Sequence, residues 1–195
     1  MSSLSKPATA LLLMAFASLV ALPALAAQPK AVAQAPAQKV SMLGGKFSFT
    51  LPNGFTATPL SAGEVDQGTA GASGTMYSNA TTRTVVIAAE NTLVGGANVK
   101  DNDAAFLDAT FADFAVQKTK ALPDAKILGE QSLTQKATGL GLRRLDTKAT
   151  QGGGPTLDTT LIAASGTRMA VVQIISRASD QVGHEALVKQ IASGK

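Results

Sequence analysis

KILGEQSLT at 126–134, LGLRRLDTKAT at 140–150, TLDTTLIAAS at 156–165 and RMAVVQIISR at 168–177 are four strand-like segments in a row, and what joins them decides the fold. The joins centre on Thr138-Gly139, on Gly152-Gly153-Gly154-Pro155 and on Ser165-Gly166-Thr167, all short and turn-like. A parallel pair needs a long crossover, so short joins make each strand antiparallel to the one before. Val171, Val172, Ile174 and Ile175 occupy both parities of the last segment, which predicts a strand covered on both faces.

Outward from this meander lie two helical patterns. On its C-terminal side Asp180 can cap a closing helix whose buried side is Leu187, Val188 and Ile191. On its N-terminal side Asp101-Asn102-Asp103 opens a longer helix, in which Phe106, Leu107, Phe111, Phe114, Ala115 and Leu122 form one apolar stripe and Pro123 stops the chain. Asp108 and Asp113 precede Lys118 and Lys120, the charge order that suits the helix dipole. Further back, TVVIAA at 84–89 is an unbroken apolar run and predicts a central strand, with a short strand at 75–78 before it. The span 56–74 is poor in bulky residues and reads as a loop.

The domain begins around LGGKFSFTLPNGF at 43–55. Phe47, Phe49 and Leu51 alternate with Lys46, Ser48 and Thr50, as in a strand with one buried face, which predicts the first strand of the sheet. Val40 to Leu43 pairs with it through a turn that Gly44-Gly45 permits, since a two-residue hairpin turn needs positive φ at both central positions. Helices segregated from a run of antiparallel strands mean α+β, and strands without a polar face mean a sheet covered on both sides. The expectation is a three-layer αβα sandwich around a mainly antiparallel sheet.

Ahead of that domain, Lys6, an apolar run from Ala8 to Leu22 and Pro23-Ala24-Leu25-Ala26-Ala27 follow the charged, apolar, small-residue order of a secretory signal peptide cleaved after Ala26. The apolar run is short of the roughly 20 residues that span a bilayer. The organisation expected is a signal peptide at 1–26, a Pro/Ala/Gln linker at 27–39 and one domain at 40–193. The linker reads equally well as a tether or as a disordered mature N-terminus. The mature protein is expected to be soluble and periplasmic.

Composition narrows the function classes. There are no cysteines, which removes lipoprotein attachment, disulfides, thiolate nucleophiles and cysteine-ligated zinc. The net charge of +4 comes from scattered basic residues, a poor footprint for nucleic acid. Seven phenylalanines, one tyrosine and no tryptophan give little material for stacking sugars or bases.

His184 is the only histidine, so a Ser-His-Asp arrangement or a histidine metal site would have to use it. Its place at the edge of the last helix's apolar stripe favours packing or capping. Asp101 and Asp103 lack the glycine and bidentate glutamate of a calcium loop. Gly44-Gly45-Lys46 lacks the first glycine of a phosphate loop. The phenylalanine stripe of the long helix reads as core before it reads as a groove. Arg143, Arg144 and Lys148 are the densest basic set and the candidate interaction surface, for acidic lipid headgroups or an acidic partner. Arg144 and Lys148 share a strand face while Arg143 points the other way.

GGKFSFTLPNGF, Met76-Tyr77-Ser78-Asn79-Ala80 before the apolar strand, the helix ending at Leu122-Pro123, Leu145-Asp146 and Val172-Gln173-Ile174 together resemble the DcrB family of bacterial envelope proteins. The resemblance runs from about Val40 to Ile191 and rests on the order and spacing of these motifs. It implies a PsbP-like fold and a non-enzymatic role in the cell envelope. Many members of that family look like lipoproteins, whereas this chain has alanine at the cleavage site. The function expected is binding of an envelope protein or the membrane surface, with no cofactor and no metal. The alternative is a small-molecule or lipid carrier with a pocket between sheet and helix.

Overall fold

Nine strands and two helices follow one another in the computed structural model, which describes residues 34–61 and 72–195. The expected signal peptide, most of the expected linker and the segment 62–71 lie outside the described residues. The strands are β1 (Gln38–Met42), β2 (Phe47–Leu51), β3 (Thr56–Pro59), β4 (Ser73–Asn79), β5 (Thr84–Thr92), β6 (Lys126–Thr134), β7 (Gly141–Gln151), β8 (Gly154–Ser165) and β9 (Arg168–Arg177). The helices are α1 (Ala104–Ala121) and α2 (Gln181–Ser193).

Seven strands form one antiparallel sheet in the order β3-β4-β5-β9-β8-β7-β6. The meander β6 to β9 is continuous, as its short turns require, and β5 closes onto β9 from the other side. The fold is thus α+β in three layers. The central strand is β9, with β5 third from the edge. β1 and β2 are not part of this sheet: they form a separate two-stranded ribbon, with Val40 opposite Phe49 and Met42 opposite Phe47. Their connection is longer than two residues, running through a short 3-10 turn at Leu43–Gly45 with positive φ at all three positions. Positive φ is easy for glycine and costly for Leu43.

One face of the sheet carries the ribbon and α2. Phe47, Phe49 and Leu51 of the ribbon and Leu187, Val188 and Ile191 of α2 close over Val86, Leu161, Val172 and Ile174. Apolar area removed from water in this way stabilises by roughly 25 cal/mol per Å². The other face carries α1, whose Leu107, Phe111 and Phe114 pack against Leu145, Ile162, Ala164 and Met169. Asp103 caps α1 by accepting the Phe106 N–H at 3.1 Å, and Asp180 caps α2 through the Gly183 N–H.

One local expectation fails, and one lysine lies where its charge does not suggest. Thr56–Pro59, expected as loop, is an exposed edge strand paired with Thr75–Ser78; strand pairing supplied by β4 overrides a sequence that has no apolar alternation. Lys118, read from the sequence only for its charge near the end of α1, is buried.

Candidate functional site

Each face of the sheet hides a polar cluster. On the α1 face, Lys118 reaches inward to Asp158 of β8. Nζ lies 2.5 Å from Oδ2, with the side chains 1% and 0% exposed. Gln173 of β9 donates to the same oxygen at 2.8 Å and Gln151 of β7 at 3.3 Å, while Thr160 donates to Oδ1 at 3.4 Å. A buried ion pair is tolerated where further hydrogen bonds satisfy the remaining lone pairs, which these donors do.

On the α2 face, His184 is 2% exposed and faces Asp146, Thr159 and Ser176. Thr159 donates its single hydroxyl proton to Asp146 Oδ1 at 2.6 Å, so its oxygen is left to accept from His184 Nε2, 2.9 Å away. Nε2 therefore carries the ring proton. Nδ1 accepts from the Ser176 hydroxyl at 3.1 Å. Burial pushes the His184 pKa down; the carboxylates of Glu185, Asp146 and Asp158 oppose that, and Arg144 adds to it. The ring is accordingly neutral near pH 7, in agreement with the hydrogen-bond order.

Carboxylate, imidazole and serine in one chain match a catalytic triad in composition, but the geometry departs from one. A threonine hydroxyl stands between Asp146 and the imidazole, and Ser176, 1% exposed, lies under α2. A nucleophile has to reach its substrate and a base has to take its proton. Ser176 instead gives His184 a hydrogen bond inside a packed interface, which seats α2 on the sheet.

The candidate basic surface divides. Arg143 is buried on the α1 face, with Nε 2.6 Å from Asp108 Oδ1. Arg144 lies on the α2 face between Asp146 at 2.8 Å and Glu185 at 3.0 Å. Burial works against its charge, and these two carboxylates outweigh it and raise its pKa. Lys148 is exposed on the α2 face, directly across from Lys126 of β6. The three residues are not one patch; the sheet separates the first from the others. Asp101 is bound by the Lys46 ammonium at 2.8 Å and by Ser165 at 2.6 Å, which lower its pKa. That set ties the ribbon to the start of α1.

An open groove of about 360 Å³ runs along β1, between Lys39 and Ser41 on one side and Ser73, Thr75 and Tyr77 of β4 on the other, with Ala88 and Glu90 of β5 at its base. It is polar and lies beside the ribbon. The space between α2 and the sheet, where a carrier would need an apolar pocket, is filled by Leu187, Val188 and Ile191.

No family model matches the chain, and no curated protein matches it. Among solved structures it is similar to the solution structure of cyanobacterial PsbP (CyanoP) from Synechocystis sp. PCC 6803, with a TM-score of 0.53 and 12% identity over 87% of this chain and 96% of that one. The fold is PsbP-like. The chain also overlays on the crystal structure of PA94, a Pseudomonas aeruginosa protein of unknown function, with a TM-score of 0.43 and 13% identity over 82% of this chain and 96% of that one, too loose a likeness to argue from. In the PsbP-like sandwich of this protein the two polar clusters lie between layers, and the groove lies at the margin of the ribbon layer. No helix among the described residues is long and apolar enough to cross a membrane.

Sequence reasoning missed Lys118, Thr159 and Ser176. A signal for Lys118 was present: it stands four residues after Phe114 and seven after Phe111, on the apolar stripe of α1. Thr159 and Ser176 carry no such mark, because their pairing with His184 arises from strand register and the return of α2.

Proposed function

We propose that the protein is an exported, non-catalytic binding domain of the cell envelope that acts through surface contact with an envelope protein or the membrane face. The order of its motifs supports kinship with the DcrB family, and the leader supports export to the periplasm. The observation that carries the reading is the state of the one histidine: both ring nitrogens of His184 are engaged with hydroxyls inside the α2 interface. Lys118 and Asp158 are likewise committed to each other.

Crosslinking the exported protein in its own envelope and identifying what it captures tests this reading. Reproducible capture of one envelope protein, or of lipid headgroups, is the expected outcome. Turnover of a small molecule by the purified protein, lost on substitution of a buried polar residue that leaves the fold intact, would overturn it.

A further inference from the structure

The two outer edges of the β1–β2 ribbon are treated differently. On β2, the Thr50 N–H donates to the Lys195 carbonyl at 2.8 Å and the Thr50 carbonyl accepts from Gln190 Nε2 at 2.8 Å. That edge is covered by the end of α2. Because Thr50 turns its backbone groups away from β1, its partner Lys39 is in a non-hydrogen-bonded pair, and so is Ser41 opposite Ser48. The N–H and C=O groups of Lys39 and Ser41 therefore point outward, into the groove, and have no backbone partner among the described residues. An open strand edge of this kind is a template for another strand.

The groove's base specifies what such a strand would carry. Across the rest of this face the ribbon supplies bulky side chains, Val40, Met42, Phe47, Phe49 and Leu51, against small or branched residues of the sheet such as Ala88, Ala170 and Val172. Beyond β1 the sheet offers Ser73 and Thr75, again small, with the ring of Tyr77 at one end and the Glu90 carboxylate at the other. Packed layers stand roughly 10 Å apart, so an added strand must bring bulky residues at alternate positions to fill the gap.

We infer that the outer edge of β1 takes an extended segment of a partner polypeptide as a third strand of the ribbon, with bulky side chains at alternate positions turned onto Ser73 and Thr75. The backbone bonds to Lys39 and Ser41 provide affinity, and the alternation provides selectivity. This deepens the proposed binding function and rests on its protein-partner form.

The test is selection of phage-displayed random nonapeptides on the full exported chain, with amide hydrogen exchange as a second readout. Selected peptides should carry bulky residues at alternate positions. Their affinity should fall at least tenfold in Ser41→Pro, which removes an outward N–H while leaving the β1–β2 bonds in place, and hold in Ser41→Ala. In the unaltered protein the Lys39 and Ser41 amides should exchange freely and slow at least tenfold when peptide binds. The inference falls if those amides are already protected in the free protein, if no peptide is selected, or if selected peptides bind Ser41→Pro as well as the parent. Loss of the inference with retention of the envelope crosslink by Ser41→Pro would leave the broader binding function standing.

Discussion

The two faces of the sheet solve one problem with different chemistry. Both must fix a helix against a layer of strands while leaving no buried polar group without a partner. The α1 face does so with a full ion pair, Lys118 and Asp158, surrounded by glutamine and threonine donors. The α2 face does so with a neutral imidazole in a chain of hydroxyls that ends on Asp146. The charged solution loses most when one member is removed, because an unpaired buried charge remains. The neutral solution loses less, but it depends on the imidazole staying unprotonated.

The sharpest break in that comparison is Asp158→Ala, which strands the Lys118 ammonium and should lower unfolding stability by about 3–5 kcal/mol. Replacing the pair together, Lys118→Met with Asp158→Leu, should recover most of this, since an apolar pair of similar volume escapes the desolvation penalty. Urea denaturation of the three proteins measures both effects. A double variant no more stable than Asp158→Ala would mean that the pair contributes more than mutual compensation.

His184→Ala on the opposite face should cost about 1–3 kcal/mol, because it leaves the Thr159 and Ser176 hydroxyls without their shared partner. A separate effect concerns acid. Burial depresses the folded pKa of His184, so in the window below its unfolded value of about 6.5 the unfolded chain binds a proton that the folded chain does not. Stability is then full above that value and falls as pH drops through it towards the folded pKa. Thermal melts between pH 8 and pH 5 should show this loss in the parent and a shallower one in His184→Gln; equal slopes would remove His184 from the acid response.

The smallest effect concerns the exposed strand margin. Lys126 and Lys148 are directly opposite on one sheet face, and like charges so placed repel. Lys148→Glu should stabilise by about 0.2–1 kcal/mol in low salt, and by less in high salt. A destabilised variant would show that Lys148 has a favourable contact that its exposed position does not suggest.

Much of the architecture was legible because its determinants are local. The glycine and proline turns between β6 and β9 force antiparallel neighbours, and the phenylalanine spacing of α1 marks its buried side. β3 escaped notice because Thr56–Pro59 is exposed throughout and owes its strand conformation to β4. The ribbon's separation from the main sheet was likewise unreadable, since alternation in Phe47–Leu51 specifies one buried face and not which layer it belongs to. The site was harder still. Lys118 could have been found from its place on the stripe, but the chain from Asp146 to Ser176 joins three strands and a helix, and the groove joins residues 39 and 41 to residues 73, 75 and 77. Such groupings come from register and long-range return of the chain, which no spacing records. That Arg143 and Arg144 go to opposite faces was legible from strand alternation, whereas the carboxylates that hold them, Asp108 on one face and Asp146 and Glu185 on the other, were not.

The central claim is that the buried polar residues hold the layers together and that function belongs to the surface. Envelope crosslinking of His184→Gln, with its fold checked by circular dichroism, tests this most directly. The account predicts that the variant captures the same partner as the parent. A variant that folds and melts like the parent yet captures nothing would contradict it.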